Sequence, residues 1–260
     1  GIIPSLLIII VICYLSYLSS IIDIRLTQKV ECDGFDDLVY KTMGKFGSIS
    51  YSIVVIIFLS ASMTAYLIIG GDMIISWFST LIDLSTFKYR VWLILFYSLI
   101  IPVSLMIPKN FFLIGVFSTA SVFLVIFYII STVVRFVQYY FSRGLSSTIS
   151  IAKFDESLFS SIGVYALTFA LPTVVISLLR PYKTEYGKRR NVVLACFVIT
   201  GFLTIFPSIL LYLMFGEEAE GNILNSFPAG DVLFAVVRAG FFLIVSFSFP
   251  VLGKSVMCNW

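Results

Sequence analysis

The sequence contains no histidine, and only 12% of its 260 residues are charged. Without histidine the chain lacks the side chain best suited to titrate near neutral pH and a common zinc ligand. The four cysteines are scattered and form no Cys-x-x-Cys pair. A zinc site is therefore excluded, and no cofactor is predicted.

The familiar sequence signs of catalysis are also missing. There is no glycine-rich nucleotide loop, no nucleophile elbow and no pair of catalytic carboxylates. The run Gly70–Gly71–Asp72 lies inside an apolar stretch and is not a phosphate-binding loop. The sequence thus does not indicate an enzyme, and no nucleic-acid partner is predicted.

What the chain has in abundance is apolar sequence. Apolar residues make up 60% of it, 26 residues are Phe, and the mean hydropathy is +1.06. Charges cluster between long apolar runs, which is typical of membrane proteins. We predict an all-α polytopic membrane helix bundle with the lipid bilayer as its surroundings. Its seven candidate helices cover residues 2–24, 48–78, 91–107, 111–134, 158–179, 191–216 and 232–253.

The loops predict the orientation. Lys and Arg concentrate on alternate loops, notably 180–190, which the positive-inside rule places in the cytoplasm. The first helix then enters from the outside. Because the chain starts at Gly1 against an apolar run and stops at Trp260 without a tail, we expect further helices on both sides.

The fifth run contains a proline at its centre. The stretch 158–179 carries no charge and is long enough to span a bilayer, yet Pro172 cannot donate an amide there. Backbone groups freed in lipid must be satisfied by a neighbouring helix, a cavity or a ligand. Many secondary transporters build their substrate site from such broken helices. A simple proline kink is the alternative.

Hydroxyl residues concentrate in two other runs. Ser60 and Thr64 are one helical turn apart, so they share a face. Ser246 and Ser248 precede Pro250, which leaves the carbonyl of Ser246 without its helical donor. A free carbonyl beside hydroxyl oxygens suits a hard cation such as sodium. Close helix packing is the alternative role for each serine.

Three charged residues lie in or beside apolar runs. Asp72 and Arg238 are expected to reach the outer interface, with an ion pair between them as the alternative. Asp23, at a cytoplasmic helix end, is expected to be solvated.

Several motifs together resemble one family. They are Y-K-T-M-G-K-F-G at 40–47, S-M-T-A-Y-L-I-I-G-G-D-M at 62–73, R-P-Y-K-T-E-Y-G-K-R-R at 180–190, L-Y-L-M-F-G-E-E-A-E-G-N-I-L-N-S-F-P at 211–228 and V-V-R-A-G-F-F-L-I-V-S-F-S-F-P at 236–250. The chain resembles the amino acid/auxin permease family, especially its sodium-coupled neutral and vacuolar amino acid transporter branches. Two positions depart from the family pattern, Leu171–Pro172 and 252–254.

The resemblance implies one partial transporter domain over 1–260. It corresponds to the second through eighth helices of an eleven-helix, LeuT-like inverted-repeat fold, truncated at both ends. It also implies that an amino acid contacts the backbone of Leu167, Thr168, Phe169 and Ala170, with Ser60 and Thr64 beside it. Ser246 and Ser248 would hold a sodium ion.

We therefore predict a secondary active amino acid transporter, ion-coupled to sodium or protons, that works by alternating access. An ion channel or a seven-helix receptor is the alternative. The membrane would be the plasma membrane or a vacuolar or lysosomal membrane.

Overall fold

The computed structural model of the chain describes residues 1–30, 35–78, 87–104, 111–154, 157–170, 186–228 and 230–258. Within these ranges the chain is helical and contains no strand. Backbone groups in lipid must be paired within the segment itself, so long uncharged runs form helices. The predicted all-α polytopic bundle is confirmed.

Seven helices follow one another along the described chain. They are α1 Ile2–Val30, α2 Phe35–Phe78, α3 Phe87–Ser98, α4 Phe111–Arg143, α5 Ser157–Thr168, α6 Tyr186–Phe215 and α7 Val232–Cys258. A π-helical turn, Leu99–Val103, continues α3, and two short 3₁₀ turns, Gly216–Glu218 and Ile223–Ser226, lie between α6 and α7.

Five segments of the described helices are long and apolar enough to cross a membrane. They are Ile2–Val30, Asp37–Trp77, Thr119–Arg143, Tyr186–Glu218 and Val232–Pro250, and the two shorter apolar helices are Tyr89–Pro102 and Leu158–Thr168. Large apolar side chains such as Phe141 and Phe159 are about 80% exposed, as expected of surfaces that face lipid. The protein is an integral, multi-pass membrane protein.

Helix α2 bends where its first part meets its membrane span. Gly44 has φ 70° and ψ −170°, inside an otherwise helical segment. Glycine adopts this left-handed conformation without the steric cost that a Cβ brings. The amphipathic residues 35–43 therefore form a helical segment of their own before the span begins.

The chain divides into two compact units whose segments alternate along the sequence. Unit 1 comprises Gly1–Val54 and Ser147–Glu217, and unit 2 comprises Val55–Ser146 and Glu218–Trp260. Unit 1 thus holds α1, α5 and α6, unit 2 holds α3, α4 and α7, and α2 passes from the first to the second.

Unit 1 has an apolar core between α1, α6, the start of α2 and the end of α5. Its buried members are Ile9, Ile24, Leu38, Phe169, Val193 and Phe197. Helices α1 and α6 are antiparallel, because Cys13 contacts Phe197 while Arg25 reaches Tyr186. The amides of Ile2 and Ile3 donate to carbonyls of Ser150 and Ile151 and fix the opposite end.

Unit 2 is built around α7. Helix α4 packs along it, with Tyr128 and Phe241 edge to face at 5.1 Å between ring centroids. The α2–α3 pair is close because Gly70 and Gly71 carry no side chain: a Cβ at Gly70 would lie 2.5 Å from the Tyr97 hydroxyl. Small residues that permit such contact are characteristic of helix packing in membranes.

Candidate functional site

The predicted substrate-contacting segment lies at the C-terminal end of α5. The helix ends at Thr168, and the amides of Phe169 and Ala170 donate to the carbonyls of Tyr165 and Leu167 at 3.1 and 3.3 Å. These two amides are therefore already paired. A substrate would meet the remaining carbonyl and side-chain groups of the segment.

Side chains of this segment have different surroundings. Phe169 is 1% exposed and stacks on Phe197, with ring centroids 6.3 Å apart. The Thr168 hydroxyl donates to the carbonyl of Val164 at 2.9 Å. Leu167 is exposed. Phe169 thus anchors the helix end in the unit 1 core, while the break predicted around Pro172 lies outside the described residues.

A cavity of about 190 Å³ lies in unit 1, and its described lining includes Tyr165 of α5 but none of residues 167–170. Its walls come from α1, α5 and α6, among them Ile9, Tyr165, Ile205, Ser208 and Tyr212. The lining is mainly apolar, and tyrosine and serine hydroxyls contribute its polar part. Such a lining suits a small ligand with an apolar part and a few polar groups.

The predicted hydroxyl pair on α2 belongs to unit 2. Ser60 and Thr64 share an exposed face, and the Thr64 hydroxyl donates to the Ser60 carbonyl at 3.0 Å. Ser62, between them, is buried and donates to the carbonyl of Phe58 at 2.9 Å. Within unit 2, Ser60 and Thr64 are thus accessible to a ligand.

The predicted sodium ligands lie on α7, also in unit 2. Ser246 is 1% exposed, and its Oγ lies 2.8 Å from the Tyr97 hydroxyl; either atom can donate. Ser248 is half-buried. Since α7 continues through Pro250, residues two apart do not face each other. The two hydroxyls therefore cannot both point at one ion, and a shared ion would contact one of them together with backbone oxygens.

The sequence interpretation missed Tyr97, the hydrogen-bonding partner of Ser246. Tyr97 is 4% exposed, packs on Gly70 and lies 5.3 Å from the Phe242 ring. The adjacent glycines of α2 were the available signal, because small residues mark where another helix comes close. They do not identify which helix, and so could not have indicated Tyr97.

Two expectations about charged residues are corrected. Arg238 does not reach the interface: it is 1% exposed, and its Nη2 donates to the carbonyls of Leu224 and Phe227 at 2.8 and 2.7 Å. The alternative of an Asp72–Arg238 pair is also wrong, because Asp72 pairs with Arg90 at 2.8 Å. Because Arg238 is buried, its donors need acceptors within the protein, and these are the carbonyls of the turn before α7.

The expectation for Asp23 is wrong as well. This residue is 7% exposed, and its Oδ2 is enclosed without a hydrogen-bond partner. The sequence interpretation ended the helix at Ile24, whereas α1 continues to Val30. Asp23 is therefore more than a turn inside the helix rather than at its solvated end.

Among the described side chains, no group of three or more His, Cys, Asp or Glu residues could hold a metal ion. A sodium site made of hydroxyl and carbonyl oxygens requires no such group. Ser246, Ser248 and their neighbouring carbonyls are the predicted donors of that type.

Comparison with known proteins gives consistent matches. A family model described as transmembrane amino acid transporter protein matches residues 1–256. A putative sodium-coupled neutral amino acid transporter 10 of Xenopus laevis is 25% identical over 226 residues, which is 83% of this chain and 21% of the relative. Solute carrier family 38 member 10 of Rattus norvegicus is 26% identical over 226 residues, 83% of this chain and 20% of the relative. The chain spans about a fifth of the length of these relatives.

Proposed function

Since the chain belongs to the transmembrane amino acid transporter family, we propose that it is part of a secondary active amino acid transporter. Uptake is coupled to a cation, and access to the substrate site alternates between the two sides of the membrane. The family favours this function over the channel, the receptor and any enzyme.

The observation that carries the proposal is the alternation of the two units along the chain. Unit 1 and unit 2 each combine an early and a late segment of the sequence. Under the LeuT-like correspondence, α1 and α6 are the second and seventh helices, which occupy equivalent positions in two five-helix repeats. The packing of α1 against α6 supports an inverted repeat. In transporters built on such repeats, one group of helices moves against another during transport.

We assign substrate binding to the end of α5. The helix stops at Thr168 inside an uncharged run, so backbone groups beyond it need partners that lipid does not provide. Leu167, Thr168, Phe169 and Ala170 would contact the amino acid through their backbone, and Ser60 and Thr64 are the predicted hydroxyl contacts from α2.

We assign sodium binding to α7. Ser246 is buried and already hydrogen-bonded to Tyr97, which orients its oxygen. The Ser246 carbonyl lies four residues before Pro250 and lacks that helical donor. The Xenopus laevis relative is named as a putative sodium-coupled neutral amino acid transporter. Sodium and neutral amino acids are therefore the first ion and substrates to test, in a plasma, vacuolar or lysosomal membrane.

The test is uptake of a labelled neutral amino acid mixture by proteoliposomes that contain the complete protein. We expect saturable uptake that an inward sodium gradient increases. Ser246→Ala removes the oriented hydroxyl and should raise the half-saturating sodium concentration several-fold. Ser142→Ala on α4 is the control, because this exposed hydroxyl donates only to the Tyr139 carbonyl, and it should leave sodium activation unchanged. A wild-type protein with no uptake under a sodium or a pH gradient would contradict the function.

A further inference from the structure

Within the part of the chain that the structure describes, Asp23 is a buried acid of a membrane-spanning helix whose Oδ2 has no hydrogen-bond partner. It is 7% exposed, and its Oδ2 contacts neither solvent nor a hydrogen-bond donor. Burying a carboxylate charge away from water costs several kcal/mol unless hydrogen bonds or opposite charges compensate. Such residues within membrane helices usually serve ion or proton movement.

The neighbouring polar groups do not donate to this carboxylate. Ser20 and Thr27 lie on the same face of α1, one turn to either side, and are 0% and 9% exposed. The Ser20 hydroxyl donates to the Ser16 carbonyl at 3.0 Å, and the Thr27 hydroxyl donates to the Asp23 carbonyl at 2.5 Å. Both hydroxyls retain lone pairs, which can accept a hydrogen bond from the O–H group of a neutral acid. The surroundings therefore suit the protonated side chain.

The cations of unit 1 do not neutralise the carboxylate. Among the described residues, no Lys or Arg nitrogen lies within 4.0 Å of an Asp23 oxygen, and Arg25 donates to the Tyr186 hydroxyl instead. The titratable or charged groups on α1 and on the described helices around it include Cys13, Tyr14, Tyr17, Arg25 and Lys29 on α1, Asp37, Tyr40, Lys41 and Lys45 on α2, Tyr165 on α5, and Tyr186, Lys188, Arg189, Arg190, Cys196 and Tyr212 on α6.

We propose that Asp23 is a proton-binding site, and that its protonation and deprotonation couple proton movement to the transport cycle. The second part rests on the proposed function. The site is separate from the sodium site on α7 and has different chemistry. In the step itself a hydronium ion gives its proton to the carboxylate, an O–H bond forms, and a water molecule leaves.

The donor set favours a proton over a metal cation. Hard metal cations in proteins are held by several oxygen ligands at once. Here one carboxylate oxygen is unpaired, and the nearby hydroxyls are on the same helix, one above the other. This arrangement can accommodate a single hydrogen bond from a neutral acid more readily than a coordination shell.

The first test does not depend on transport. Asp23→Asn keeps the shape of the neutral acid but cannot bind a proton. The melting temperature of the detergent-solubilised complete protein should rise for the wild type as pH falls from 8 to 5, and should change less for Asp23→Asn. At pH 8 the variant should melt above the wild type. Asp37→Asn is the control, because that carboxylate is 40% exposed and paired with Lys41.

The second test is transport by proteoliposomes. An inward proton gradient should stimulate wild-type uptake, fail to stimulate Asp23→Asn, and stimulate Asp23→Glu, which keeps a carboxylate. Exchange of labelled for unlabelled substrate without a gradient should persist in all three.

The two proposals fail in different ways. An Asp23→Asn protein that melts below the wild type at pH 8, or that keeps full proton stimulation, overturns the proton site. Loss of sodium activation in that variant instead would identify a sodium ligand and also overturn it. Absence of substrate exchange in the wild type would overturn the transport function, while the melting comparison would still decide on the proton site.

Discussion

The two units differ in whether their buried charged side chains have hydrogen-bond or ion-pair partners. Among the described residues of unit 2, the buried Arg238 donates to two carbonyls, and the half-buried Asp231 pairs with Arg135 and accepts from the first amides of α7. The Nε of Arg135 is enclosed without a hydrogen-bond partner, while its Nη2 forms the pair with Asp231. Asp72 and Arg90 form a further, more exposed pair. These contacts tie helices and turns together, so the charges of unit 2 are structural.

In unit 1 the buried core is apolar, and Asp23 is the buried charged side chain among the described residues. The other buried polar side chains there, Ser20 and Thr27, donate to backbone carbonyls within α1. The ion pairs of this unit, such as Lys153 with Glu217, are exposed. The unpaired carboxylate lies next to Ile24 in the sequence, which belongs to the core. The difference teaches that a buried charge indicates function by its lack of a partner. If burial alone indicated a functional charge, Arg238 would have been chosen instead of Asp23.

The largest expected effect on stability comes from removing the hydrogen bonds of the buried arginine in unit 2. Arg238→Met leaves the carbonyls of Leu224 and Phe227 without donors, at about 1–3 kcal/mol for each unsatisfied group. We expect a loss of several degrees in melting temperature. Arg143→Met, at an exposed position, is the control. Equal melting temperatures for the two variants would show that the hydrogen bonds from Arg238 to Leu224 and Phe227 do not stabilise the fold.

The second effect concerns close packing. Gly70→Ala places a Cβ about 2.5 Å from the Tyr97 hydroxyl, which must move away from Ser246. Overpacking of this kind costs about 1–3 kcal/mol. Sodium activation of uptake should weaken together with stability. Gly163→Ala is the matched control, because its Cβ would meet no atom within 4 Å. Unchanged sodium activation in Gly70→Ala would separate Tyr97 from the ion site.

The smallest effect concerns the Asp72–Arg90 pair. Its side chains are 20% and 44% exposed, so solvent screens the attraction. Such pairs contribute about 0–1 kcal/mol. Asp72→Asn and Arg90→Gln, alone and combined, should give a small coupling energy in thermal unfolding, and added salt should reduce it. A coupling energy above about 2 kcal/mol would show that this pair stabilises the fold as strongly as a buried ion pair, which would contradict the expected screening by solvent.

Most of the fold could be predicted from the sequence. Long apolar runs must form helices in lipid, and each of the seven runs overlaps a described helix. The positions of the helix ends were harder to predict. Helix α1 extends six residues past its predicted end, because Arg25 and Lys29 are tolerated near an interface. The end of α5 at Thr168 precedes Pro172 by four residues, as loss of the proline amide would suggest.

The candidate site was less predictable. Residues on one helix follow from spacing, so Ser60 and Thr64 were correctly expected to share a face. Partners on other helices do not follow from spacing. The contacts of Ser246 with Tyr97 and of Arg238 with Leu224 depend on helix rotation, which the sequence does not specify. The burial of Asp23 depends on it as well.

One crossed measurement tests the central claim, that sodium and protons act at separate sites in the two units. Proteoliposomes with Ser246→Ala or Asp23→Asn are assayed for amino acid uptake under a sodium gradient alone and under a pH gradient alone. The account predicts that Ser246→Ala loses only the sodium response and Asp23→Asn only the pH response. Loss of the same response in both variants, or of neither, would contradict it.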